Sequence, residues 1–100
     1  MDEMGNDAPR PHHLVLGRVL ATPGAVELIG AGVPLWKYLI RHACGDWGDL
    51  DEHDRAANAR AVQYGGERVL SAYRVETGAR LWIITEADRS ATTLLLPSEY

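Results

Sequence analysis

One hundred residues, 46% of them hydrophobic and 24% charged, make a single globular domain, and apolar runs of only a few residues exclude a bilayer-spanning helix. The net charge of −4 gives an acidic isoelectric point that disfavours generic phosphate neutralisation, so nucleic acid is a disfavoured partner unless a local basic patch forms. A lone cysteine, Cys44, makes no internal disulfide, and no basic-then-apolar leader opens the chain, which together predict a cytoplasmic protein with no membrane association.

Residues 1–11 mix acids, Gly, Asn and two prolines without apolar periodicity and read as a flexible tail, leaving residues 12–100 as one α+β domain. Residues 14–20 are rich in branched side chains and predict a strand, with Gly17 marking a bulge or a close approach. Thr22-Pro23 pairs a capping hydroxyl with proline at the first helical position, and the short helix over 24–29 should stop at Gly30-Ala31-Gly32. A second helix starts near Pro34. Leu35, Trp36, Leu39, Ile40 and Ala43 recur at helical spacing, so that stripe is expected inside, with Lys37 and Arg41 outside. After a loop over 45–49, Asp49 and Glu52 have the spacing of a capping box. The third helix then runs to Tyr64, with Leu50, Asp54, Ala57, Ala61 and Tyr64 on its inward stripe.

Residues 68–76 predict a strand with Val69, Ser71, Tyr73 and Val75 on one face. A two-residue turn at Thr77-Gly78 would set Glu76 opposite Ala79, Tyr73 opposite Trp82 and Val69 opposite Glu86. In residues 80–86, Trp82 and Ile84 share one face while Leu81 and Ile83 share the other. A strand apolar on both faces belongs inside a sheet. The turn over 87–90 then returns the chain with Ile83 near Leu94 and Thr85 near Thr92, and Pro97 ends the last strand. The order β-α-α-α-β-β-β predicts an antiparallel meander covered by helices on one face. A second copy of the chain is one way to cover the other.

Two polar clusters stand out. Glu86, Asp88, Arg89 and Ser90 follow the central strand: they either cap the turn or form a site in which Arg89 forks onto a carboxylate or phosphate positioned by Glu86 or Asp88. Asp46, Trp47 and Asp49 either connect two helices, with Trp47 plugging the core, or form a recognition loop in which Trp47 stacks on a ligand. The two clusters would reinforce each other if Trp47 and Arg89 lined one pocket. His42, Cys44 and His53 lack the paired spacing of a zinc site, so no metal is expected, and Cys44 reads as a small core residue. The absence of a Walker loop, a dinucleotide glycine pattern, HExxH or GxSxG gives no cofactor.

Residues 45–50 (GDWGDL) and 82–97 (WIITEADRSATTLLLP) resemble a family of small bacterial proteins that usually carry plasmid-related labels, in some cases that of a type I restriction endonuclease subunit M. The resemblance runs from about Leu16 to Tyr100 and implies a mobile-element setting without fixing an activity. One hundred residues are too few for a methyltransferase domain. The expected function is a non-catalytic accessory protein that binds a protein or small-molecule partner through the two clusters. The alternative is a small hydrolase or nuclease using Glu86 and Arg89, with Arg74 and His42 assisting. A homodimer through a free strand edge is a third reading.

Overall fold

The computed structural model describes residues 14–100, so the tail predicted over 1–11 lies outside the described residues, as do His12 and His13. The fold is α+β. β1 (Arg18–Ala21) leads into α1 (Pro23–Gly30), α2 (Leu35–Ala43) and α3 (Glu52–Tyr64), followed by β2 (Val69–Arg74), β3 (Arg80–Thr85) and β4 (Ala91–Leu95). A 3₁₀ turn, Pro97–Glu99, follows the last strand. The sheet order is β1-β4-β3-β2: β2, β3 and β4 form the predicted antiparallel meander, and β1 joins it parallel to β4. β3 is therefore interior, as its two apolar faces require.

Ile83 pairs with Leu94 and Thr85 with Thr92, as expected from the turn between them. The β2–β3 register differs from the expected one by a single residue: Tyr73 faces Leu81, Ala72 faces Trp82 and Val69 faces Thr85. The hairpin is closed by the Val75 amide donating to Ala79 (2.9 Å), which leaves three loop residues rather than two, the last being Gly78 at φ 88°. A three-residue loop of this kind takes a left-handed third residue, which glycine supplies without strain.

Helix starts follow local chemistry in two ways. The Thr22 hydroxyl accepts from the Ala25 amide ahead of Pro23, the predicted cap. For α3 the cap is Asp51, whose carboxylate accepts from Asp54, not Asp49. Asp49 lies too early, since the helix begins at Glu52, and its amide instead donates to the Ala72 carbonyl at 2.7 Å.

α1 and α2 cover one sheet face, where Ala25, Leu28, Leu35 and Tyr38 meet Tyr73, Leu81, Ile83 and Leu94. The inward face of α2 is Leu35, Tyr38 and His42, with Leu39 beside it, whereas Trp36 and Ile40 stand exposed. The expected stripe was rotated because it followed hydrophobicity alone. Lys37 and Arg41 reach sideways to Glu76 and Asp46, and His42 is drawn in by buried hydroxyls. α3 lies along the outer edge of β2. It buries Ala61 and Asn58, while Tyr64 is exposed. Asn58 displaces the expected stripe by bonding a strand peptide: its amide group donates to the Leu70 carbonyl (2.6 Å) and its oxygen accepts the Leu70 amide (3.0 Å).

Candidate functional site

The Glu86–Ser90 turn is built from its own side chains. Arg89 takes φ 63°, outside the usual range for a side-chain-bearing residue. Its guanidinium donates to the carbonyls of Glu67 (2.7 Å), Glu86 (3.1 Å) and Ala87 (3.3 Å), and through the other terminal nitrogen to Ala61 (2.8 Å). Arg89 therefore ties the end of α3 to the β3–β4 turn and is not an anion fork, since both arms of that fork are occupied by backbone oxygens. Asp88 accepts from the Ser90 amide at 3.0 Å, and hydrogen bonds from Ser90 hold its carboxyl below the usual range. The Ser90 carbonyl in turn receives the Arg18 amide. Gly17 presses against this turn, and a Cβ there would collide with the Ser90 and Arg89 carbonyls, which is the predicted close approach.

The second cluster is also largely structural. Asp46 pairs with Arg41 (2.7 Å), whose guanidinium holds the carboxyl below its ordinary range. Its carbonyl accepts from the Tyr73 hydroxyl (2.5 Å). The Trp47 carbonyl and the Asp49 amide pair with Ala72, extending the sheet by one parallel bridge at Gly48. A Cβ at Gly48 would overlap the Ala72 carbonyl, so this bridge needs glycine. Trp47 is part-buried, and its indole N–H finds no acceptor among the described residues. Trp47 and Arg89 line none of the three hollows described below.

His42 is fully enclosed, at 1% exposure, together with Ser71, Thr85 and Thr92. Its Nδ1 lies 2.6 Å from the Ser71 hydroxyl and its Nε2 lies 2.8 Å from that of Thr85. Thr85 is 2.7 Å from Thr92, which donates to the Leu16 carbonyl at 2.7 Å. Because Thr92 spends its proton on Leu16, Thr85 must donate to Thr92 and so accept from His42. The imidazole is therefore neutral with its proton on Nε2, and Ser71 donates to Nδ1. Burial lowers the His42 pKa to about 4, consistent with that state. The network has no surface for a substrate, which takes His42 out of the hydrolase reading. The signal for it was already in the sequence: Ser71, Thr85 and Thr92 are hydroxyls on inward-facing strand positions, and buried hydroxyls require partners.

The open chemistry lies on the opposite sheet face, which α1 and α2 leave uncovered and which α3 and the 3₁₀ turn only border. Hollows of about 640, 470 and 340 Å³ adjoin there, and all three border Arg68. The largest is floored by Leu70, Ala72 and Trp82 and walled by Tyr100. Trp82 and Tyr100 meet edge to face with centroids 5.5 Å apart, Tyr100 being 70% exposed. Arg68 sits 5.5 Å above the Tyr100 ring and donates to its hydroxyl at 2.9 Å. Around these hollows stand six carboxylates, Asp49, Asp51, Asp54, Glu67, Glu86 and Glu99, against two guanidiniums, Arg68 and Arg80. Asp49 and Glu86, one from each predicted cluster, thus border the same face, while Asp46, Asp88, Arg89 and Ser90 do not. Tyr100, Arg68 and Trp82 were absent from the expected site, since only the fold brings them together. Among the described residues no group of three or more His, Cys, Asp or Glu side chains is placed to hold a metal. Comparison with protein-family models, with curated proteins and with solved structures finds no match to this chain.

Proposed function

We propose that the protein is a non-catalytic binding protein whose open sheet face, centred on Trp82 and Tyr100, docks a positively charged segment of a partner protein. The observation that carries this reading is the composition of that face: an edge-to-face aromatic pair inside a ring of six carboxylates and two arginines. Aromatic faces give a cation both apolar area and an attractive quadrupole, and the surplus of acids favours lysine or arginine over phosphate. Arg68 and Arg80 are outnumbered three to one by these carboxylates, and Arg68 already spends one donor on the Tyr100 hydroxyl. The accessory role in a mobile element, implied by the resemblance, belongs to the same proposal.

Calorimetric titration tests it with two probes of similar length, a lysine- and leucine-bearing peptide and a single-stranded oligonucleotide. The peptide should bind, more weakly as salt rises. Reversing Asp49 and Glu86 to lysine, both exposed side chains, should weaken it by about tenfold or more. Preferential binding of the oligonucleotide, or peptide binding indifferent to the double reversal, rejects the reading.

A further inference from the structure

The two edges of the sheet are finished differently. On β2 the outward peptide groups are taken, at Leu70 by Asn58 and at Ala72 by the Trp47 carbonyl and Asp49 amide. On β1 the amides of Arg18 and Thr22 donate inward, to Ser90 (3.0 Å) and Leu94 (3.0 Å). Strand alternation then turns the amides and carbonyls of Val19 and Ala21 outward, where no other strand of the described residues lies.

The helices present apolar flanks toward this same edge. α1 turns Gly24 to Leu96 and Glu99, over the sheet interior, so Val26 and Ile29 on its other flank project past β1. α2 commits Lys37 and Arg41 to Glu76 and Asp46 on one side, so Trp36 and Ile40 face the other. On that other side, the carbonyl of Ala43 receives the Leu14 amide just upstream of β1. Val15, Val19, Val26, Ile29, Trp36 and Ile40 are each 50% to 67% exposed. Their summed exposed area is of the order of 600 Å², at the top of the range for the largest apolar patch on a monomer. With the strand backbone and Leu20 it approaches the roughly 800 Å² that each partner gives to a standard interface.

We propose that β1 is a homodimerisation edge, on which a second copy of this chain pairs its own β1 antiparallel about a two-fold axis at Leu20. Outward peptide groups at Val19 and Ala21, one residue either side of that axis, complement their own copy. Val19 then lies opposite Ala21 of the partner subunit, and four backbone hydrogen bonds close the pair. The α1 flanks meet above the axis and cover the apolar side chains. None of the six is charged. The hollow around Trp82 opens on the face away from α1 and α2, so this inference stands apart from the binding function proposed above.

Sedimentation equilibrium on the full chain tests it. The expected mass is twice 11.0 kDa at concentrations up to about 100 µM. Two variants probe the edge. Val26→Glu with Ile29→Glu places charges at exposed helix positions, and Ala21→Pro removes only an outward amide. Each substitution enters a two-fold interface twice, so each variant should raise the dimer dissociation constant by about 100-fold while far-UV circular dichroism stays unchanged. A wild-type chain that is monomeric throughout that range overturns the proposal and leaves the edge to a strand of another protein. A dimer that neither variant weakens overturns it equally.

Discussion

The enclosed histidine makes stability depend on pH in a window where little else titrates. His42 is neutral in the native state with its pKa lowered to about 4, against an ordinary value near 6.5 in the unfolded chain. A base whose native pKa is depressed costs nothing above pH 6.5. Its penalty grows as pH falls below 6.5, because the unfolded state takes up a proton that the native state refuses, and saturates once pH drops below 4. At pH 5 the unfolded imidazole has titrated through 1.5 pH units that the native one has not, worth about 2 kcal/mol. That is a large part of the 5–15 kcal/mol typical of such a domain. The carboxyls lowered by partners, Asp46, Glu76, Asp88 and Glu99, lose their contribution mainly as pH falls below about 4.5, so a comparison of pH 7 with pH 5 reads His42. Urea unfolding at pH 7 and pH 5 should therefore show a fall about 2 kcal/mol larger for the wild type than for His42→Gln, whose amide offers a donor and an acceptor but does not titrate. Nitrogen NMR should find the His42 proton on Nε2 at pH 7. Equal pH dependence in the two proteins refutes the buried neutral imidazole, and a proton on Nδ1 refutes the hydrogen-bond direction worked out from Thr92.

Asn58→Ala removes both bonds to the Leu70 peptide and should cost about 2 kcal/mol, lowering the melting temperature by about 8 °C or more; an unchanged melting curve would show that water replaces Asn58 without loss. Arg89→Lys retains the charge but cannot reach the Ala61 and Glu67 carbonyls together, so chemical denaturation should report a loss of about 2 kcal/mol. Undiminished stability in that variant would return Arg89 to the candidates for ligand contact.

What the sequence disclosed and what it withheld divide along the reach of the interactions. The Thr22 cap, the interior position of β3 and the β3–β4 register depend on neighbours within a few residues or on alternation, and all are legible. Local rules have close competitors, however. Asp49 and Asp51 both have cap chemistry; the helix begins at Glu52 and Asp51 caps it, while Asp49 is held in a sheet bridge to Ala72, far along the chain. The β2–β3 register turned on whether Glu76 belongs to the strand or to the loop, and one residue of difference moved every cross-strand partner. Unpartnered inward hydroxyls signal that a partner such as His42 is needed, but neither His42 nor Asn58 can be placed from spacing, because their partners lie 29 and 12 residues away in strands. Trp36 and Ile40 were misread for the opposite reason. Hydrophobicity predicts their burial, but burial on α2 is decided by what the sheet offers.

The same lesson governs the candidate site. Arg89 and Asp88 carry the residue types of a binding site, yet Arg89 spends both terminal nitrogens on backbone carbonyls and Asp88 closes its own turn, and a satisfied donor has little left for a ligand. Trp82, Tyr100 and the neighbouring acids have the reverse character: a sheet face that α1 and α2 leave uncovered, bordered by carboxylates of which Asp49 and Glu86 make no side-chain ion pair among the described residues. Covering β2 with α3 and the Trp47 loop closes one edge and also raises the wall of that hollow. The open edge at β1 lies across the sheet from it. Closing one edge and leaving the other free thus separates two surfaces on a domain of 100 residues, one that we propose takes a charged partner and one that we propose takes a copy of itself.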